Sequence, residues 1–287
     1  HCTRAAIWKA VKSLREEGYM IEAGPNKGYM LMKANDRLSV EAIRPFLSFP
    51  DVYIKVYQEV DSTNRAAKAA AVTGEAGHGS FVLAGCQTEG RGRRGRSFYS
   101  PQDAGIYLSV VLEPKGSLQE SLLLTAEAAV AVYKAVKKVT GIDLDIKWVN
   151  DLYHNGKKVC GILTEAVTDF ESGNIEFAVV GIGLNIFEAA EGYPEAIKGI
   201  AGGIYESREA AGELERSCLA AEIVNALLEE TKELRLPPEY IEHNIVPGRE
   251  ICISDGDKVR SAKALEICPD GRLKVKEADG SLSVLSY

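Results

Sequence analysis

The sequence predicts an α+β protein built in three parts. Three observations carry this expectation. A basic helical segment followed by a hairpin opens the chain, a long body alternates period-two with period-3.6 apolar runs, and three Asp-Gly pairs punctuate the closing stretch. The boundaries fall at 1–34, 35–245 and 246–287.

Thr3 is a suitable N-cap, and Ile7, Val11 and Leu14 form one apolar stripe on a helix that Gly18 stops. Arg4, Lys9, Lys12 and Arg15 take its other faces. Residues 19–23 and 29–32 read as two strands joined by a turn with Lys27 at its tip. Helix and hairpin resemble the second half of a winged helix-turn-helix, with Arg4, Lys9, Lys12 and Lys27 as the DNA contacts. An ordinary helix with a solvated basic face is the competing reading.

A linker near Asn35-Asp36-Arg37 leads into a short helix. Val52, Ile54, Val56 and Val60 then alternate with Tyr53, Lys55, Tyr57 and Glu59 as a half-buried strand, which ends at Asp61-Ser62-Thr63-Asn64 where an alanine-rich helix begins. Leu122, Ala126, Ala129, Tyr133 and Val136 predict a helix over 115–138, followed by strands at 144–148, 159–167 and 177–182. A second long helix is expected over 208–234, stopped by Pro237-Pro238. Beyond Val246, short β-like runs separated by Asp255-Gly256, Asp270-Gly271 and Asp279-Gly280 predict a small antiparallel barrel. The chain opens on a helix signal without an initiator Met and closes in a strand-like run, so both ends are expected to continue.

The 287 residues are 46% hydrophobic and 26% charged, and no apolar run nears the ~20 residues of a membrane helix, so no membrane partner is expected. Six scattered cysteines without a CxxC pair encode neither a disulfide framework nor a zinc cluster, and reduced thiols in a cytoplasmic protein are expected. Cys86 and Cys160 are read as packing residues. His1, His78, His154 and His243 lack ligand spacing, so no structural metal is assigned. Residues 1–34 carry six basic and three acidic side chains, a net of +3 on a chain whose total is −7. A positive end on an acidic body points to a polyanion-binding module attached to something else.

Gly90-Arg91-Gly92-Arg93-Arg94-Gly95-Arg96 interleaves four guanidinium groups with glycines. Glycine permits close backbone approach and arginine offers a fork matched to phosphate or carboxylate, so the loop suits wrapping an anion; a basic patch for nucleic acid is the alternative. It is no P-loop, and Gly181-Ile182-Gly183-Leu184-Asn185 lacks the third glycine of a dinucleotide fingerprint. Lys147-Trp148-Val149-Asn150-Asp151, followed by Lys157-Lys158 and Gly161-Ile162-Leu163-Thr164-Glu165, sets opposite charges at a sheet edge, where either a ligand site or a near-neutral surface ion pair would do so. Asp61-Ser62-Thr63-Asn64 reads by itself as a helix cap, whose N–H groups would equally receive a carboxylate or ureido oxygen.

Taken together and in order, DSTN, GRGRRGR, KWVNDLY with KKVCGILTE, and GIGLNI resemble the biotin protein ligase family from Asp61 to Ile186. The basic start and the Asp-Gly-rich end extend the resemblance to the class that doubles as a biotin operon repressor. Two departures stand out. Val149 replaces the family's proline, and Phe98 replaces a tryptophan found after the arginine loop of its best-known member.

The resemblance implies a partial winged helix-turn-helix domain, a central class II synthetase-like mixed sheet with helices, and an SH3-like barrel. It implies an enzyme that joins biotin to ATP, with Mg2+, as biotinyl-5'-AMP and passes the biotinyl group to a lysine of a biotin carboxyl carrier protein of acetyl-CoA carboxylase. A homodimer would bind operator DNA. Lys158, Arg91, Arg93 and Asp151 are the implied catalytic residues, with Asp151 either organising ATP and metal or acting as a base toward the acceptor lysine. Ser62, Thr63, Asn64, Gln87, Gly90, Arg91, Arg93, Arg94, Lys158, Gly161 and Leu163 would surround biotin. Arg93, Arg94, Arg96, Phe98, Lys147, Asn150, Asp151 and Asn185 would surround the nucleotide. The rival readings are a lipoate or octanoate ligase or transferase, which needs a longer apolar tunnel, and a metabolite-sensing transcription factor without catalysis.

Overall fold

The computed structural model describes residues 3–16, 20–24, 28–33, 36, 38–49, 51–114, 121–168, 175–255 and 258–286. Thr3 caps α1 (Arg4–Glu16), its Oγ1 accepting from the Ala6 amide at 3.2 Å. β1 (Met20–Gly24) and β2 (Gly28–Lys33) pair antiparallel, and Arg15 Nε donates to the Ile21 carbonyl at 3.0 Å, tying helix to hairpin. Of the expected stripe only Val11 is buried; Ile7 and Leu14 are exposed, as are Arg4, Lys9 and Lys12. Lys27 and its turn lie outside the described residues.

After α2 (Val40–Ile43), the body forms a seven-stranded mixed sheet. Its strands are β3 (Ile54–Tyr57), β4 (Phe81–Ala84), β5 (Gly105–Leu112), β6 (Asp145–Lys147), β7 (Asp151–His154), β8 (Lys157–Thr168) and β9 (Ile175–Asn185). They lie in the order β3-β4-β5-β9-β8-β7-β6; β3 runs parallel to β4 and all other neighbours are antiparallel. The helices are α3 (Thr63–Val72), α4 (Ser121–Thr140), α5 (Arg216–Glu230) and α6 (Pro238–Glu242).

Period-two alternation assigns each strand residue to a face. On β9, Ala178, Val180, Ile182 and Leu184 enter the main core with Ala128, Val132 and Val136 of α4 and Ala220, Val224 and Leu227 of α5. Phe177 and Val179 point the other way and pack beneath Ala67 and Ala70 of α3. Continuing along that second face, the next positions are Gly181 and Gly183, where the sheet presents no side chains. This bare patch beside α3 is where the cavity forms.

Two expected elements are corrected. The helix placed over 208–234 begins at Arg216, because Gly212 adopts a φ of +61° and residues before it run in turns. The start of α5 is fixed instead by Asp36, whose Oδ1 accepts from the Arg216 amide at 2.8 Å. The helix expected over 115–138 is described from Ser121 and runs to Thr140; 115–120 lie outside the described residues. β7 falls between the strands expected at 144–148 and 159–167, where the sequence predicts none.

β10 (Glu250–Asp255), β11 (Lys258–Ile267), β12 (Leu273–Glu277) and β13 (Leu282–Leu285) form an antiparallel four-stranded meander. Asp270 and Asp279 cap their turns by accepting from the Arg272 and Ser281 amides, at 3.1 and 2.9 Å. Gly256 lies outside the described residues. Ala262, Ala264, Ile267, Leu273 and Val275 share the main core with the body, so this sheet is packed against it. No helix among the described residues is long and apolar enough to cross a membrane.

Candidate active site

A cavity of about 1130 Å³ opens over the bare patch. Its floor is β8 and β9, one end is the start of α3, the roof is the arginine loop, and the far wall is the β6–β7 turn with residues of the C-terminal sheet. Of the expected ligand residues, Ser62, Thr63, Asn64, Gln87, Arg91, Arg93, Arg94, Arg96, Phe98, Lys147, Asn150, Asp151, Lys158, Gly161 and Leu163 line it together.

The α3 end is a fixed polar network. Gln87 Oε1 accepts from the Thr63 amide at 2.9 Å and from Thr63 Oγ1 at 3.0 Å, while its Nε2 donates to Ser100 Oγ at 2.8 Å. Asn64 Nδ2 donates to Glu165 Oε2 at 2.8 Å and to the Leu163 carbonyl at 3.3 Å, and Asn64 Oδ1 accepts from Ser109 Oγ at 2.6 Å. Ser62 occupies the N-cap position of α3, yet its hydroxyl caps nothing in the helix and lies buried at the cavity. The motif starts α3 as the cap reading expects, the Ser62 carbonyl accepting from the Ala66 amide at 3.0 Å, but without a side-chain capping bond. The Ser62 amide donates to Asp61 Oδ1 at 2.6 Å, and this bond is the first cause holding the Asp61 carboxyl below its ordinary range.

On the floor, the absence of side chains is the working feature. A Cβ on Gly181 would lie 2.0 Å from Asn64 Oδ1, and one on Gly183 would lie 2.4 Å from Phe98 Cε1. Phe98 thus rests its ring across Gly183 and Gly161. Neither glycine of the GIGLN segment has an expected role from the sequence; the signal for one is that both continue the period-two face of Phe177 and Val179.

The charged end is built by β6, β7 and β8. Asp151 faces Gly161 across the β7–β8 pair, and an irregularity in that ladder sets Lys158 opposite Tyr153, on the same face as Asp151. Lys158 Nζ lies 2.6 Å from Asp151 Oδ1, both only partly exposed. A Cβ on Gly161 would stand 3.3 Å from Lys158 Cε, so glycine there leaves room for the lysine stem as well as for Phe98. Asn150 Nδ2 donates to the Ile162 carbonyl at 2.8 Å, and Arg93 Nη1 donates to Asn150 Oδ1 at 3.2 Å, joining the roof to the turn. Arg94, at φ +55°, donates to the Ser254 carbonyl of β10 at 3.4 Å, and Arg91 pairs with Glu165 at 3.7 Å. Lys147 Nζ sits 5.0 Å over the Tyr153 ring.

Two expected residues stand back from the cavity. Asn185 is buried and donates from Nδ2 to the Gly202 carbonyl at 3.2 Å. Gly90 shapes the base of the loop, its carbonyl accepting from the Phe98 amide at 2.8 Å and its Cα packed so closely that a Cβ would meet the Phe98 carbonyl oxygen at 2.3 Å. Cys160 is fully buried and burial pushes its thiol far up, which suits a packing role. The wall also includes Ile197 and Ile200 from the segment after β9, Arg249 just before β10 and Ile251 on it. No local pattern announces these.

Among the described residues the lining carries seven cationic side chains and two carboxylates, Asp151 and Glu250. On a chain of net charge −7 this is a local reversal, fitted to an anionic ligand. An apolar and hydrogen-bonding pocket at one end and a guanidinium-roofed pocket at the other suit a small acid laid against a phosphorylated nucleotide.

Comparison with known proteins points the same way. Residues 56–185 match the model of the biotin/lipoate A/B protein ligase family, and residues 1–30 match that of an HTH domain. The chain is 34% identical to the bifunctional ligase/repressor BirA of Bacillus spizizenii, over 99% of this chain and 89% of that one. It is 31% identical to the bifunctional ligase/repressor BirA of Escherichia coli, over 78% of this chain and 67% of that one. A biotin protein ligase from Aquifex aeolicus, solved in complex with biotin and ATP, superposes with a TM-score of 0.63 at 25% identity, covering 81% of this chain and 95% of that one.

Proposed function

The chain belongs to the biotin/lipoate A/B protein ligase family, and on that footing we propose that it is a bifunctional biotin protein ligase and repressor. It activates biotin with ATP to biotinyl-5'-AMP, releasing pyrophosphate, and transfers the biotinyl group to a lysine of a biotin carboxyl carrier protein. The observation that carries this reading is the Lys158–Asp151 pair facing the arginine roof across one cavity, with the Thr63–Gln87 network at its other end.

The chemistry brings a carboxylate against a triphosphate, so like-charge repulsion is the main obstacle. Lys158 holds the biotin carboxylate and the α-phosphate, supplying positive charge where the transition state gathers negative charge. Arg91, Arg93 and Arg94 cover biotin and the phosphates, and Arg96 and Lys147 extend the field toward the nucleotide. Ser62, Thr63, Asn64, Gln87, Gly161 and Leu163 enclose the biotin rings, with Gly90 setting the approach of the loop. Phe98 stacks on adenine. Asn150 and Asp151 order the nucleotide end, and Asn185 supports it through the Gly202 carbonyl. The adenylate is an anhydride that water attacks, so closure of the loop shelters it until the acceptor lysine arrives.

Among the described residues no three His, Cys, Asp or Glu side chains cluster, and the cavity offers carboxylates at Asp151 and Glu250 only. That donor set fits a magnesium ion carried in on the phosphates of ATP, with Asp151 as its protein ligand. When bound, the ion supplies neutralising charge on the phosphates.

The domain reading of 1–34, 35–245 and 246–287 follows the three sheets, with the middle part class II synthetase-like and the last an SH3-like barrel. Exposed Arg4, Lys9 and Lys12, together with Lys27, are the operator contacts, presented twice by a homodimer. The free cysteines suit a cytoplasmic setting. Pyrophosphate exchange into ATP, measured with magnesium and a panel of vitamin acids, tests the reading. Exchange dependent on biotin is expected. Exchange supported by lipoate or octanoate alone, or none, would overturn it.

A further inference from the structure

The β6–β7 turn that carries Asn150 and Asp151 is braced from behind by the connection to the C-terminal sheet. Tyr240 of α6 is completely buried, and its hydroxyl donates to the Val149 carbonyl at 2.7 Å. The chain then meets β6 at a single parallel bridge between Ile146 and Asn244, the Ile146 amide donating to the His243 carbonyl and the Ile245 amide to the Ile146 carbonyl, each at 2.9 Å. A third brace comes from the C-terminal sheet, where the Gly271 carbonyl accepts from Trp148 Nε1 at 2.9 Å. Tyr240 itself does not line the cavity, whereas Trp148, Val149, Asn150 and Asp151 all do. Burial pushes the Tyr240 phenol up, so it remains a donor across the working range of pH.

We propose that Tyr240 is a positioning residue for adenylate formation, fixing through the Val149 carbonyl where Asn150 and Asp151 stand against Lys158 and Arg93. This rests on the ligase reading of the site. The physical argument is local. Asn150 and Asp151 directly follow Val149, so a slack Val149 carbonyl releases the two side chains that meet Arg93 and Lys158. A displacement near 1 Å at such groups is enough to slow a reaction strongly. The residues around the biotin rings on α3 and Gln87 are held by a separate set of bonds among the described residues, so they should feel its loss less than Lys158 and Arg93 do.

The test uses the full chain with Trp8→Phe, which leaves Trp148 as the single tryptophan. Adding Tyr240→Phe is expected to lower kcat of biotin-dependent pyrophosphate exchange about 10- to 100-fold. The KM for biotin should rise by a smaller factor than kcat falls, because the residues around its rings on α3 and Gln87 keep their own hydrogen bonds. Trp148 emission should move to longer wavelength as its turn loosens. Site-specific 4-aminophenylalanine at position 240, which restores a donor at the same place, should recover most of the rate. A kcat unchanged by Tyr240→Phe, or a loss that the amino analogue fails to repair in a folded protein, overturns the proposal. If the parent shows no biotin-dependent exchange, the ligase reading fails instead, and the unmoved or shifted Trp148 emission still decides whether Tyr240 braces the turn.

Discussion

Lys158 and Asp151 face each other 2.6 Å apart on neighbouring strands because the β7–β8 ladder slips between Leu152 and Tyr153. With unbroken alternation from Gly161, Lys158 would point into the helix-covered core. The slip turns it onto the cavity face, and Val159 and Cys160 are both buried in its place. Replacing Lys158 by Ala removes the positive charge on which the first half-reaction depends. Biotin-dependent pyrophosphate exchange should fall by about 10²- to 10³-fold while the fold is retained. Exchange kinetics beside a thermal melt measure both.

Arg93 reaches from the roof to Asn150 Oδ1 and so latches the loop over the site. Arg93→Gly should still allow adenylate synthesis but release the intermediate faster, labelling exposed lysines on bystander proteins. Dissociation of radiolabelled adenylate, followed by filter binding, is the direct measurement. A dissociation rate equal to the parent's counts against the latch.

Gly183→Ala places a methyl group 2.4 Å from Phe98 Cε1, a separation that real structures do not tolerate. Phe98 must leave the floor, at a cost of about 1–3 kcal/mol in stability. The Kd for ATP should rise more than that for biotin, since Phe98 belongs to the nucleotide end. Calorimetric titration with each substrate would reveal the asymmetry.

Arg216 is 1% exposed and its guanidinium is held by Asp36 Oδ2 at 2.7 Å, by the Asp36 carbonyl at 2.7 Å and by Asp103 Oδ1 at 3.1 Å. Asp36→Ala leaves a buried cation with part of its partners gone, and unfolding free energy should drop by about 3–5 kcal/mol. Urea denaturation checks the figure, and Arg216→Met should be better tolerated than Asp36→Ala because it removes the charge itself.

Glu127, in the middle of α4, is fully buried; burial pushes its carboxyl up to about 8 from an ordinary 4.5, although Oε1 accepts from the Arg235 amide. The native state therefore keeps a proton that the unfolded chain releases above about 4.5, and its stabilising effect is lost as pH climbs toward 8. Melting temperature should decline over that window, and Glu127→Gln should flatten the decline. An equal slope in both proteins would remove Glu127 from the account.

Much of the fold follows from local pattern. The cap of α1, the strand character of β3, the apolar periods within α4 and the turns at Asp270-Gly271 and Asp279-Gly280 each express steric and hydrogen-bonding preferences that act over a few residues, and these features are present in the structure, although of the α1 stripe only Val11 is buried. The length of α5 did not follow, since its start is capped by Asp36 from 180 residues away. Most of the site was visible as well, because arginine interleaved with glycine and the spaced Lys, Asn and Asp residues are unusual enough to declare an anion-handling surface. The apolar wall from Ile197 and Ile200, and the contribution of Arg249, carry no such mark.

By itself the sequence determined which side chains carry charge, where chain direction reverses and which family of reactions those groups suit, for these depend on residue type and short-range spacing. Tertiary structure alone decided that a ladder slip sets Lys158 beside Asp151, that two glycines clear a floor for Phe98, and that Tyr240 braces the turn next to them. Each of those depends on strand register or on contacts between distant segments, and register is chosen by the packing of the whole sheet.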